Sequence, residues 1–217
     1  MQAVVGYYHR SFLLSEVVMK ILWTLFAITI IAYAAEVFFR YKVTKSMTEL
    51  LQQREYELYD QVRYGKITMF TVPQVNLLYF DLTKAILKDD IRSADKLMEV
   101  FKTKNMTRKQ KESIYCRAFY FYLANKQYEQ ASMCHEEIMK DADPASQAEI
   151  DLLYHVYVLK DDLYLEDLLI QFGKADTEQK TDIAGLLAEI YNNKNDTENY
   201  NKYLSIVKKE LSEEKGD

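Results

Sequence analysis

Apolar residues are spread unevenly along the chain. One run, residues 21–39, reads ILWTLFAITIIAYAAEVFF and is followed at once by Arg40, Lys42 and Lys45. Nineteen helical residues rise about 28 Å, close to the roughly 30 Å of a bilayer's hydrocarbon core. The pattern predicts a transmembrane helix over 21–39 behind an N-terminal flank, 1–20. Trp23 near one end and Tyr41 just past the other have the amphipathic rings favoured at the membrane interface. Lys20, Arg40 and Lys42 are placed to snorkel toward headgroups.

Beyond the run, apolar positions recur at three- and four-residue spacing. Val43, Met47, Leu50, Leu51, Leu58 and Val62 predict that the helix continues through 40–64 as a stalk or short coiled coil. Gly65 suits a helix C-terminus. The β-branched stretch 67–72 reads as a loop or extended segment, and Val72-Pro73 marks a boundary, so 40–72 is expected to be stalk and linker.

From residue 73 to 211 the chain alternates apolar-periodic segments with short polar turns, ahead of a polar tail at 212–217. Helices are predicted near 74–87, 91–102, 108–124, 128–140, 147–159, 163–173, 178–192 and 196–210. Turns within pairs fall at Lys88-Asp89-Asp90, Asn125-Lys126-Gln127, Lys160-Asp161-Asp162 and Asn193-Lys194-Asn195. Their centres are 37, 35 and 33 residues apart, the period of stacked two-helix repeats. Start signals agree. Thr107-Arg-Lys-Gln110 is a capping box, Asp143-Pro144 places a cap before a first-turn proline, and Asp176, Asp196 and Asp89 or Asp90 fit N-caps.

The pairs resemble tetratricopeptide repeats. In residues 112–144, Tyr122 stands at the family's first-helix tyrosine. Tyr128-Glu-Gln-Ala131 resembles its aromatic-x-x-Ala opening of the second helix, and Pro144 lies near its closing proline. Leu187-Ala188 and Tyr191 match in the last unit, Ala94 in the first and Tyr157 in the third. Phe119, Glu166 and Tyr200 depart from small-residue positions. The resemblance implies an all-α fold, a right-handed solenoid of about four helix pairs that binds a protein or peptide along its first-helix faces. Tyr120, Leu123, Tyr154, Tyr157 and Tyr191 are the partner-binding candidates.

Composition narrows the class. Only 5 Gly and 2 Pro among 217 residues argue against turn-rich β folds, and 18 Tyr suit helix packing or a binding groove. Net charge is −5. Residues 1–45 carry Arg10, Lys20, Arg40, Lys42 and Lys45 against Glu16 and Glu36, a net +3, which leaves −8 for the rest. An acidic domain repels phosphate backbones, so nucleic acid is not an expected partner.

Cys116 and Cys134 form neither a disulfide framework nor a zinc signature. His9, His135 and His155 show no metal-ligand spacing, and no P-loop or nucleophile elbow occurs. The acidic pairs Glu136-Glu137, Asp161-Asp162, Glu166-Asp167 and Glu213-Glu214 read as solvated faces and caps. No metal, cofactor or catalytic residue is expected.

The chain therefore reads as a non-catalytic, single-pass membrane scaffold of the cell membrane. The alternative is a structural or assembly subunit acting through its transmembrane and stalk helices. The excess of Arg40, Lys42, Lys45 and Arg54 over Arg10 and Lys20 places the C-terminal domain in the cytoplasm. The opposite orientation places it outside. Ala32-Tyr33-Ala34 also resembles a signal-peptide cleavage site, with Met19 as a possible start. Glu36 and the run from Phe38 to Lys42 favour an uncleaved anchor.

Overall fold

A computed structural model describes residues 2–213, with side-chain environments from residue 19 onward except at 178, 211 and 213. His9, Arg10, Glu16 and Glu213-Glu214 therefore lie outside the described side chains, as do the flank to residue 18 and the end of the tail. All regular structure among the described residues is helical. The helices are α1 (Gln2–Gln52), α2 (Tyr56–Arg63), α3 (Lys66–Thr71), α4 (Gln74–Leu87), α5 (Ile91–Lys102), α6 (Arg108–Ala124) and α7 (Tyr128–Asp141). α8 (Pro144–Leu153) runs on into a π turn (Tyr154–Leu159), and α9 (Leu165–Lys174), α10 (Thr177–Asn193) and α11 (Thr197–Glu213) follow. The chain divides into two compact units, residues 1–104 and 105–217.

The turns share one backbone device. Arg54, Asp89, Lys126, Lys160 and Asn195 each have φ between 56° and 60°, the left-handed region. At four of them the next residue donates its N–H to the carbonyl five residues back: Glu55 to Leu50, Asp90 to Ala85, Gln127 to Tyr122 and Asp196 to Tyr191, at 2.8–2.9 Å. This closure satisfies carbonyls that a helix end leaves open. At Lys160 the π turn widens the loop, and Asp161 reaches His155 instead, at 3.2 Å. Successive left-handed residues are 35, 37, 34 and 35 apart. The four expected turns are present, and Arg54 adds a fifth to the same series.

That fifth turn corrects the stalk. Residues 40–64 do not form one helix, because α1 ends at Gln52 and α2 folds back. Met47 and Leu51 are buried with Tyr59, Val72 and Leu77, and Val43, Leu50, Val62 and Phe80 pack around them. The stretch expected to be a stalk is thus half of a core. Two ion pairs tie α2 to α4. Arg63 grips Asp81 with Nε and Nη2 at 2.8–3.0 Å, and Lys84 meets Asp60 at 2.6 Å. The Tyr59 hydroxyl donates to Asp81 at 2.8 Å, and burial first, then Asp81, pushes its pKa far up.

Residues 67–72, expected to be loop or extended, are mostly helical. Their β-branched residues disfavour a helix only weakly, and packing of α3 on α1 overrides that. The Thr68 hydroxyl donates to the Val62 carbonyl and the Thr71 hydroxyl to Ile67. Gly65 does not close α2 in a left-handed conformation but precedes α3 in an extended one, φ −64° and ψ 144°. A Cβ there would stand 3.1 Å from the Val62 carbonyl oxygen.

Unit 2 matches its expected helices more closely. The Thr107–Gln110 capping box forms, Asp143 caps α8 with Pro144 in its first turn, and Asp176 and Asp196 cap α10 and α11. In unit 1, Asp90 rather than Asp89 caps α5. Ala118 and Ala131 are fully buried where α6 and α7 pack together, beside Phe119, Tyr122 and Ile138. Phe119, the departure from a small residue, is itself fully buried. A second core gathers Val156, Leu168, Leu187, Ile190 and Tyr203 from the π turn and α9–α11.

The left-handed turns make a stability test. At exposed Lys126 a side chain bears the cost of a left-handed φ, about 1 kcal/mol or more. Lys126→Gly is expected to raise the melting temperature by the equivalent of about 0.5–1 kcal/mol, less than the full cost because glycine loosens the unfolded chain. Lys126→Val is expected to lower it. Thermal unfolding followed by circular dichroism reads both.

Candidate functional site

Two regions bear on function. The first is α1 between residues 19 and 35, where every residue lies open and the apolar window is wholly unburied. α1 contains the one helical segment among the described residues that is long and apolar enough to cross a membrane. Trp23 and Tyr41, both largely exposed, stand eighteen positions apart, about 27 Å along a helix. Lys20 is exposed. Lys42 lies over the Phe38 ring at 5.7 Å, and Arg40 pairs with Glu36 at 3.7 Å, one turn earlier. The Glu36 carboxylate thus has a cation on its own helix.

The second is a polar and aromatic cluster in unit 2, centred on Asp151 of α8. Asp151 Oδ1 lies 2.8 Å from His135 Nε2 on α7, and Oδ2 accepts from the Tyr164 hydroxyl. His155, one helical turn on, has its Nε2 3.8 Å from Asp151 and its Nδ1 2.8 Å from Asp161. Tyr154 stacks on His135 with centroids 3.9 Å apart and donates to Ser132 at 3.2 Å. The π turn supplies both Tyr154 and His155.

Partial burial raises the Asp151 pKa, but the Tyr164 and His135 hydrogen bonds and the nearby histidines outweigh it and hold the carboxyl below its ordinary value. The hydrogen bond to Asp151 pushes the Tyr164 phenol up to about 12. Every ring nitrogen and oxygen named here faces a partner. Such a network can lock α7, the π turn and the start of α9 together.

The partner-binding candidates fall in different places. Tyr120 is 41 % exposed on α6, and its hydroxyl donates to Glu149 of α8. Leu123 is half-buried on the same helix. Tyr154 is drawn into the Asp151 cluster. Tyr157 and Tyr191 pack against the second core, Tyr191 stacking on Tyr203 at 5.6 Å. The structure therefore leaves Tyr120 and Leu123 together and turns the other three inward.

Cys116 and Cys134 are not joined in a disulfide. Cys134 is buried, and burial with Glu112 and Glu149 nearby pushes the Cys116 thiol up to about 11, a poor nucleophile near neutrality. Among the described residues no group of three His, Cys, Asp or Glu side chains is arranged to hold a metal.

Sequence reasoning read His135 and His155 as isolated and missed the Asp151 cluster. The spacing Asp151-x-x-x-His155 was a usable signal, since residues four apart share a helix face. His135 comes from another helix and Tyr164 from beyond a turn, so neither has a sequence spacing that reveals it. No protein-family model, no curated protein and no solved structure matches the chain.

The Asp151 pKa has a definite sign. A folded-state value below the unfolded one, about 3.9, gives stability that is present above that value and lost as pH falls through the lower folded value. Asp151→Asn is expected to cost about 2 kcal/mol at pH 7, as loss of hydrogen bonds to a charged group does. It is also expected to flatten the acid limb of the stability profile. Melting temperatures of both proteins between pH 2 and 7 check this.

Proposed function

We propose that this protein is a membrane-anchored, non-catalytic scaffold whose helical hairpins bind a protein or peptide partner at the membrane. The observation that carries the reading is the wholly unburied apolar segment of α1, in the same unbroken helix that enters the core of unit 1. A soluble protein rarely leaves so large an apolar surface open. A bilayer covers it without further structure.

The hairpins support the second half of the reading. A left-handed turn every 34–37 residues is the spacing expected of a tetratricopeptide-like solenoid. Ala94, Ala131 and Ala188 are buried, as small residues at close helix crossings are. Tyr120 and Leu123 offer an aromatic anchor beside an aliphatic one, a composition favoured at interfaces. Anchoring would raise the domain's effective concentration for any partner held at the same membrane. The basic flank after residue 39 favours a cytoplasmic domain.

A photoreactive phenylalanine analogue in place of Tyr120, in the full chain in its native membranes, tests the reading. A discrete adduct is expected there and not at Leu163, which is more open and lies on a turn. Adducts confined to a probe at Ile28 in the span would instead support an assembly subunit. Absence of adducts at all three positions would contradict both readings.

A further inference from the structure

α3 is short, amphipathic and placed beside the apolar span. It packs on α1, and a shallow groove between them is lined by Ala32, Ala35 and Phe39 on one side and by Ile67 and Phe70 on the other. Phe70 is 87 % exposed, and Tyr64, Ile67 and Met69 each leave more than half their surface open. Ile67, Met69 and Phe70 make an apolar patch that no described part of the chain covers, while Tyr64 borders a charged pocket with Asp60, Asp81 and Lys84. The patch is continuous with the exposed face of Phe39.

The level of the patch along α1 decides what meets it. Ala32 and Phe39 are seven residues apart, about 10 Å of helix rise. If residues 21–39 cross the hydrocarbon, a segment lying against 32–39 shares the outer 10 Å of that layer on the same side. This is the depth at which interfacial helices bury their apolar faces.

The polar groups of α3 suit that depth. The Thr68 and Thr71 hydroxyls are spent on backbone carbonyls at 2.5 and 2.8 Å, so neither demands water. Lys66, which also lines the groove, carries a long stem that can lift its ammonium to the headgroups. Glu36 is paired with Arg40.

We propose that α3 is a second membrane contact. Ile67, Met69 and Phe70 insert into the headgroup–acyl boundary of the leaflet that α1 leaves, and unit 1 is seated on the lipid surface instead of hanging from a single helix. The occupant is lipid. The inference rests on the anchor reading above, because without a spanning α1 nothing fixes the depth of α3.

The chain's single tryptophan, Trp23, separates the two claims. Full-length protein is reconstituted in vesicles whose lipids carry bromine on the acyl chain near the headgroup. The wild type reports the span, and the Trp23→Phe/Phe70→Trp variant reports α3. Phe70 is open enough to accept the larger ring, and circular dichroism confirms that the fold is kept.

Both tryptophans are expected to emit blue-shifted and to lose intensity to the bromines. Emission at position 70 that stays red, is untouched by lipid bromine and is quenched by aqueous iodide, with Trp23 quenched by lipid, overturns the α3 proposal and leaves the anchor standing. A Trp23 that lipid does not quench overturns the anchor reading, and the α3 proposal with it, whatever position 70 does.

Discussion

Backbone continuity in α1 is the constraint on which the rest of unit 1 depends. Between residues 21 and 52 the chain has no glycine and no proline, so nothing interrupts the hydrogen-bond ladder from the apolar segment to the first turn. The same helix therefore serves two surroundings. From residue 19 to about Phe39 its side chains lie mostly open, and from Val43 to Leu51 one face packs against α2, α3 and α4. The Tyr59–Asp81–Arg63 and Asp60–Lys84 links then fix α2 on α4. An apolar segment joined to its core by a continuous helix transmits orientation, which a flexible linker does not.

Most helices were legible because their signals are local. The capping box at Thr107, the caps at Asp90, Asp143, Asp176 and Asp196, and the apolar periodicity between them lie within a few residues of what they specify. The turns were legible from polar residues, although none contains glycine. Arg54 was not, since Gln53-Arg54-Glu55 carries no turn chemistry and the helical pattern reads straight through it. Only the burial of Met47 and Leu51 against Tyr59 makes the chain reverse there. α3 was missed for the same reason, as Ile67, Thr68 and Thr71 favour extended structure locally and packing on α1 decides otherwise.

The candidate sites divide along the same line. The exposed apolar residues of α1 are contiguous in sequence, so composition alone displays them. The Asp151 cluster assembles groups from α7, α8, the π turn and α9, and the widened π turn that carries Tyr154 and His155 has no sequence signature. It also explains why Tyr154 is not a free groove residue. Its ring is held against His135 and its hydroxyl is given to Ser132. With the Ser146–Glu112 and Tyr120–Glu149 hydrogen bonds, this network supplies directional constraints that fix how α8 meets its neighbours.

The central claim is that one uninterrupted helix joins a membrane-embedded segment to the core of unit 1. Amide hydrogen exchange on the full chain in lipid nanodiscs tests it most directly. The account expects slow exchange throughout residues 21–51, with no break between the apolar segment and the core. Fast exchange at residues 40–45, between a protected span and a protected core, would mean a flexible joint and would contradict it.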